Sequence, residues 1–181
     1  FFNAGHIIGS AGILLKHKNK KIFFTGDINL SDQTLLPGAD LPKEKIDILI
    51  TETTYGATDS ISLNNWQEET DRFTSSINKV LNRGGSVLIP VFALGKLQEM
   101  LALIWKGMQN NKITNVDIYI GGIGKKINRV YDYNRFVVKR NEQELVLHDI
   151  PYKDLNREEN LQKLFKLPSI VLASSGMMVE S

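Results

Sequence analysis

The stretch Gly84–Gln109, GGSVLIPVFALGKLQEMLALIWKGMQ, combines the two patterns that decide the fold. Its first part, SVLIPV, is a short run of mostly apolar and β-branched residues, which is typical of a strand. Its second part places Leu97, Leu101, Ile104 and Met108 on one stripe of a helix, so this face is predicted to pack in a core. A strand followed directly by an amphipathic helix predicts a β-α unit and a parallel sheet.

The same alternation continues on both sides of this stretch. A helix is predicted before it, over NNWQEETDRFTSSINKVLNRGG, with Asn64 or Asn65 as the N-cap and Gly84 at its end. After it, VDIYIGG and SIVLASSG are predicted to be strands, and KKINRVYDYN and NREENLQKLFKL to be helices. The pattern therefore indicates an α/β fold with a mainly parallel sheet.

The first part of the chain has a different pattern. Two short strands, Ile13–Leu15 and Ile22–Phe24, are predicted around the turn KNKK, and IDILIT at 46–51 is predicted to be a buried strand. The stretch GATDSISLNN, at 56–65, separates these hairpin-linked strands from the strict alternation that follows. ATDSISLNN is predicted to be a linker or a surface loop.

Composition limits the classes of protein and of site. The chain has 181 residues, of which 42% are hydrophobic and 23% charged, close to the averages of globular proteins. It contains no cysteine, which excludes disulfides and thiolate metal sites and favours a reducing, cytoplasmic location. No apolar run is long enough to cross a bilayer, so no membrane partner is expected. The net charge of +2 does not by itself indicate nucleic-acid binding, and the basic run KHKNKK is predicted to be a solvated hairpin turn.

Three polar residues occupy positions where sites are commonly built. His6, Asp27 and Glu52 each lie at or just after the end of a short apolar segment, beside a glycine or a threonine. Imidazole and carboxylate groups are the ligands that zinc and manganese accept when no thiolate is present. Taken singly these signals are weak, because a histidine beside glycine is more often structural and an aspartate after a strand is more often a turn residue.

Five segments give these residues a context. NAGHIIGSAG, FFTGDIN, ILITETTYG, GGSVLIPVFALGKLQE and IVLASSGMM occur in this order over essentially the whole chain. Together they resemble the β-CASP branch of the metallo-β-lactamase fold. The resemblance implies that residues 1–60 are the second part of a metallo-β-lactamase αββα domain. It implies that residues 61–181 are a β-CASP α/β domain, incomplete at its C-terminal end.

The resemblance also implies roles for single residues. His6 corresponds to a histidine ligand of one metal ion, and Asp27 to a carboxylate that bridges two metal ions. Glu52 corresponds to an acidic residue that orients a histidine serving as general acid, so Asp27 and Glu52 are the predicted catalytic residues.

Further residues are implied to contact a substrate phosphate. Ser174, Ser175 and Gly176 correspond to a phosphate-contacting turn. Lys96 and Gln98 correspond to a segment that usually reads GRxQE, with lysine here in place of arginine. A bidentate phosphate contact would thereby become a point-charge contact.

The function implied is hydrolysis of RNA phosphodiester bonds by a hydroxide activated by two zinc ions. Single-stranded RNA is the expected partner, and a homo-oligomer is left open. Two alternatives remain: a DNA-acting β-CASP nuclease, and a non-catalytic scaffold subunit of an RNA-processing assembly. The presence of His6, Asp27 and Glu52 favours an enzyme over a scaffold.

The metal-binding motif HxHxDH of the family does not occur in this sequence, nor do two later histidines. The resemblance therefore implies an internal piece of a longer enzyme, which as a whole would bind two zinc ions. This piece alone is expected to bind no zinc and to be inactive. Of the other histidines, His17 is predicted to be solvated and His148, after a predicted strand, to have a surface or structural role. GGIG, at 121–124, is predicted to be a turn entering a helix because it lacks the spacing of a nucleotide-binding loop.

Overall fold

A computed structural model describes residues 1–59, 64–164 and 166–174 of the chain. The chain divides into two compact units. The first comprises Phe1–Trp66 and Phe136–Glu142, and the second comprises Gln67–Arg135 and Gln143–Ser181. The described residues form two four-stranded sheets. They include no helix with the length and apolar character that a membrane span requires.

The first sheet contains strands β1 to β4 in chain order. Their bounds are β1 Phe2–Asn3, β2 Ala11–His17, β3 Lys20–Phe24 and β4 Ile48–Ile50. The pairs β1–β2 and β2–β3 are antiparallel, whereas β4 is parallel to β3. The two strands predicted around KNKK are thus confirmed, while β1 was not predicted because two residues carry no periodicity.

The basic run at 16–21 forms the predicted solvated turn. Its side chains are exposed or half-buried, and Lys18 has a φ of 50° in the tight turn. Lys16 and Lys21 both reach Glu44, at 2.6 and 2.5 Å. Hydrogen bonds from Lys16 and then from Lys21 lower the pKa of Glu44. Lys20 lies 3.7 Å from Asp47, so three of the four lysines of the run pair with local carboxylates.

The prediction that 46–51 is a buried strand is wrong. Ile48, Leu49 and Ile50 are 48%, 60% and 48% exposed, and among the described strands β4 pairs only with β3. A continuous apolar run indicates that a strand can be covered on both faces. Which faces are covered depends on the layers packed against the sheet, and the run itself does not contain this information.

The segment Phe136–Glu142 joins the first unit through backbone and side-chain contacts. The backbone N–H of Asn141 donates to Leu35 O at 2.8 Å, and its side chain donates to Gln33 O at 2.9 Å. Lys139 forms an ion pair with Asp40 at 2.9 Å. This unit is thus formed by two separate stretches of the chain. The single domain boundary predicted near residue 60 does not account for the second stretch, Phe136–Glu142. The assignment of the two parts to a lactamase and a β-CASP domain stays a prediction.

Helices and strands alternate through the rest of the described chain. They are α1 Trp66–Leu81, β5 Val87–Pro90, α2 Lys96–Gln109, β6 Asp117–Ile120, α3 Gly124–Tyr133, a 3-10 helix Leu147–Asp149, β7 Tyr152–Asp154, α4 Glu158–Leu164 and β8 Ser169–Ala173. Every helix and strand predicted after residue 64 is present. Strand β7 was not predicted, because three residues between Pro151 and Leu155 are too few to show a period.

The second sheet has the order β5-β8-β6-β7, and all of its strand pairs are parallel. The predicted α/β class with a mainly parallel sheet is therefore confirmed. The central strand β8 is the most deeply covered, with Ile170 and Leu172 fully buried. The helical stripe is also confirmed, since Leu97, Leu101 and Ile104 have no exposed surface.

His148 does not follow a strand as predicted. It lies exposed in the 3-10 helix, and its backbone N–H donates to Asp132 Oδ2 at 2.9 Å. Asp132 is 8% exposed, and its other oxygen accepts the N–H of Leu147 at 2.7 Å. Asp132 therefore fixes the start of this short helix, and the His148 ring is not required there.

Candidate metal and catalytic site

The first sheet brings His6, Asp27 and Glu52 to one edge. Strands β3 and β4 are parallel, so the residues that follow them, Asp27 and Glu52, emerge at the same edge. Strand β2 is antiparallel to β3, and therefore the loop that carries His6 into β2 also lies at this edge. The three residues are distant in sequence, and strand pairing brings them together.

The loop that carries His6 is closed by its own side chains. Ser10 Oγ accepts the backbone N–H groups of His6 and Ile7, both at 3.2 Å. The Ser10 N–H donates to Ile7 O at 3.0 Å. The motif NAGHIIGS thus forms a compact turn that fixes the backbone of the histidine.

Gly5 holds this turn against the rest of the unit. Its φ is +69°, and a Cβ there would lie 2.5 Å from Asn29 O and 2.7 Å from Ala39 N. Both are backbone atoms that cannot rotate away. The Gly5 carbonyl also accepts a hydrogen bond from Gln33 Nε2 at 3.1 Å. Only glycine satisfies both the backbone angle and the close approach.

His6 and Asp27 lie side by side. His6 Nε2 is 3.8 Å from Asp27 Oδ2, and the two side chains are 42% and 76% exposed. A zinc ion binds nitrogen and oxygen ligands at about 2.0–2.2 Å, so two atoms less than about 4.4 Å apart can contact one ion. The pair therefore fits two positions of a metal centre.

The pair does not complete a metal centre by itself. Within residues 1–59, 64–164 and 166–174, no three His, Cys, Asp or Glu side chains cluster closely enough to hold a metal ion. A zinc site uses three or four protein ligands. Any complete centre thus needs ligands beyond His6 and Asp27.

Glu52 is held by two donors. Its Oε1 accepts the backbone N–H of Ile28 at 2.8 Å, and its Oε2 accepts the Thr54 hydroxyl. These hydrogen bonds, that of Thr54 first, lower the pKa of Glu52 below the ordinary value of 4.5, and the charge of His6 contributes least. Because Ile28 follows Asp27 directly, Glu52 anchors the turn that presents Asp27.

Thr54 was missed by the sequence analysis. The signal was present, since a hydroxyl residue two positions after an acidic residue commonly closes a local hydrogen bond. The structure thus shows a structural role for Glu52: it positions Asp27 by accepting the backbone N–H of Ile28.

We expect Glu52→Gln to lower the free energy of unfolding in a pH-dependent way. The pKa of Glu52 is lower in the folded state, so its ionised form stabilises the fold above pH 4.5. This contribution is lost as the pH falls through the lower folded pKa. Urea unfolding of both forms between pH 7 and the acid range is the measurement. Glu144→Gln, an exposed carboxylate outside the helices and strands, is the control. A pH-independent difference between Glu52→Gln and the wild type would contradict the assignment.

The predicted phosphate-contacting residues lie at the carboxyl edge of the second sheet. Lys96 is the first residue of α2, which follows β5, and Ser174 directly follows β8. These two strands are parallel neighbours, and the Val91 N–H donates to Ala173 O at 2.9 Å. Ser175 and Gly176 lie outside the described residues. This edge is where ligands bind in parallel α/β sheets.

Ser174 lies against the turn that precedes α3. A Cβ on Gly122 would fall 1.8 Å from Ser174 Oγ, and Gly122 has a φ of +70°. The predicted turn GGIG is therefore present, and its glycine leaves room for the serine hydroxyl.

Gln98 does not face this edge. It has no exposed surface, its Oε1 accepts the Gly95 N–H at 2.9 Å, and its Nε2 donates to Asn128 Oδ1 at 2.9 Å. Gln98 therefore ties the start of α2 to α3 and positions the turn that presents Lys96. Asn128 was not identified from the sequence, because nothing in its surroundings distinguishes it from an ordinary helical residue.

The chain matches no protein-family model. It is similar to proteins of known name over 98% of its length: 35% identical to the RNase J-like protein and 37% to the probable RNase MJ4, both of Methanocaldococcus jannaschii. It is 33% identical to the cleavage and polyadenylation specificity factor subunit 3 of Dictyostelium discoideum, again over 98% of the chain. The chain belongs to the β-CASP family of metallo-β-lactamase-fold proteins.

Membership of the β-CASP family confirms the resemblance on which the site assignments depend. It also indicates metal cofactors in general for proteins of this family. The chain spans 42%, 41% and 23% of the lengths of the three relatives. These relatives are therefore considerably longer than the β-CASP chain described here.

Proposed function

We propose that the full-length protein hydrolyses phosphodiester bonds of single-stranded RNA with the help of two zinc ions. The observation that carries the proposal is the pairing of His6 Nε2 with Asp27 Oδ2, 3.8 Å apart, at one edge of the first sheet. The names of the relatives support RNA as the substrate, since two of them are called RNases and others endoribonucleases.

His6 and Asp27 would hold zinc through an imidazole nitrogen and a carboxylate oxygen. When bound, divalent metal ions neutralise charge on the phosphodiester and lower the pKa of water. Within this chain, Ser10 fixes the histidine, and Glu52 fixes Asp27 through the Ile28 N–H. These contacts fix the backbone that carries both side chains before substrate binds, which reduces the reorganisation needed for reaction.

Glu52 would in addition orient a histidine that protonates the leaving oxygen. Its lowered pKa keeps it ionised at neutral pH, and a carboxylate accepts more hydrogen bonds than the two it receives from Ile28 and Thr54. Lys96 would contact a substrate phosphate as a point charge, together with the turn formed by Ser174, Ser175 and Gly176.

The proposal is tested with the full-length protein, a labelled single-stranded RNA and a DNA of the same sequence. We expect cleavage of the RNA, loss of cleavage after EDTA treatment and dialysis, and recovery on addition of Zn²⁺. Cleavage of the DNA alone would replace RNA as the substrate. A protein that binds RNA but cleaves neither substrate with any divalent metal would be a scaffold, and the proposal would be wrong.

A further inference from the structure

One face of α3 carries exposed side chains that are not buried in the core of the second unit. Lys126, Arg129, Val130 and Tyr133 follow one another at helical spacing, and all four are exposed. Tyr133 is 86% exposed and Val130 is 52% exposed. We call Lys126, Arg129 and Tyr133, with Val130 between them, the α3 stripe. The opposite face of the helix is buried through Asn128 and Tyr131, so packing accounts for that face alone.

Within residues 1–59, 64–164 and 166–174, neither cation of the α3 stripe has a carboxylate partner. In the described part of the chain no carboxylate lies within ion-pair distance of Lys126 or Arg129, whereas the neighbouring Lys125 pairs with Asp154 at 3.4 Å. The single acidic residue of α3 is Asp132, which is 8% exposed and accepts two backbone N–H groups of the 3-10 helix. Among the described residues, the charges of Lys126 and Arg129 on the exposed surface of α3 are therefore not compensated by a carboxylate.

Helix stability does not explain these residues either. Tyrosine and valine are weaker helix formers than alanine or leucine, and both remain in contact with solvent. A single exposed apolar residue needs no explanation. An almost fully exposed tyrosine beside two cations that have no carboxylate partner in the described part of the chain is a more specific combination, because it offers a π-face and two phosphate-binding groups on one surface.

We propose that the α3 stripe binds single-stranded RNA and forms an RNA-contact surface on the second unit. Surfaces of this kind combine cations that follow the phosphates with aromatic rings on which bases stack. Lys126 and Tyr133 are separated by about 10 Å along the helix axis, so the stripe contacts a short run of nucleotides rather than a single small ligand. The inference rests on the proposed RNA substrate. The positive charge of the α3 stripe complements the negative charge of the RNA backbone.

The test measures binding of the full-length protein to a fluorescein-labelled oligouridine of about 16 nucleotides in EDTA. Binding then does not depend on cleavage, so a failure here is distinct from a failure of the proposed reaction. We expect Tyr133→Ala to weaken binding about 5- to 100-fold, while Tyr133→Phe keeps most of the affinity because the ring remains. We expect Lys126→Gln with Arg129→Gln to reduce the slope of log K against log salt by about 1.4.

Lys79→Gln with Arg83→Gln, two exposed cations at the end of α1, is the matched control for net charge. It should leave affinity and salt slope close to those of the wild type. Circular dichroism melting shows whether each variant is folded. Tyr133→Phe gives a second affinity measurement in which the aromatic ring is kept and only the hydroxyl is removed.

Three outcomes would overturn the proposal. The first is wild-type binding by both Tyr133→Ala and the Lys126/Arg129 variant, or no oligouridine binding by the wild type. The second is an equal loss in the Lys79/Arg83 control, which would indicate a nonspecific charge effect. The third is a result in which the α3-stripe variants bind RNA like the wild type but no longer bind phosphatidylserine vesicles or an acidic protein. This result would assign the surface to another partner.

Discussion

Asp27→Ala in the full-length protein is expected to reduce RNA cleavage by about a thousandfold or more, a barrier increase of about 4 kcal/mol. The carboxylate lies 3.8 Å from His6 Nε2, and the proposed reaction uses both groups to hold metal. Its side chain is 76% exposed, so we expect the free energy of unfolding to change by less than about 0.5 kcal/mol. Single-turnover cleavage and urea unfolding measure the two effects separately.

Asp40→Ala is the control for the loss of an exposed carboxylate in the same unit. Asp40 pairs with Lys139 at the surface, and such a pair contributes at most about 1 kcal/mol. Its removal should leave cleavage unchanged. Residual cleavage by Asp27→Ala within about tenfold of the wild type, a barrier change of about 1.4 kcal/mol, would remove Asp27 from the reaction.

Gly5→Ala is expected to lower the free energy of unfolding by about 2–5 kcal/mol. The left-handed backbone costs a residue with a Cβ about 1–2 kcal/mol. The clash of that Cβ with Asn29 O and Ala39 N adds an overpacking cost of about 1–3 kcal/mol. Because the neighbouring His6 shares this turn, cleavage by the full-length protein should fall as well. Urea unfolding at neutral pH is the measurement.

Gly9→Ala separates the two costs. Gly9 also has a positive φ, +77°, but a Cβ there meets no atom within 4 Å. It should therefore show the backbone cost of about 1–2 kcal/mol without the clash. If the two substitutions destabilise the chain equally, the close approach of Gly5 to Asn29 and Ala39 does not contribute as described.

The periodic parts of the sequence were sufficient to predict their own structure. Helix α2 carries apolar residues at helical spacing over four turns, and the predicted stripe from Leu97 to Met108 is buried. Gly84, with a φ of +78°, comes after the end of α1, as a glycine stop predicts. Such signals are local, because hydrophobic period and backbone angle belong to a few consecutive residues. Strand β7 had too few residues to produce one.

The site was only partly predictable. The motifs around His6, Asp27 and Glu52 identified three candidates, and the family relationship supports the motifs from which they were chosen. Their roles in binding metal and substrate stay predictions. The contact from Glu52 to Ile28 and the buried bond from Gln98 to Asn128 were not foreseen, since each joins residues more than 20 positions apart.

The sequence by itself determined the α/β class, the strands and helices with clear periods, and the residue types at the site. Only the tertiary structure decided which of these residues meet. The antiparallel pairing of β2 with β3 and the parallel pairing of β3 with β4 bring His6, Asp27 and Glu52 to one edge. The exposure of β4 was likewise decided by what packs on the sheet. The physical reason is that propensity acts between near neighbours in the chain, whereas strand pairing and burial are set by contacts between segments far apart in sequence.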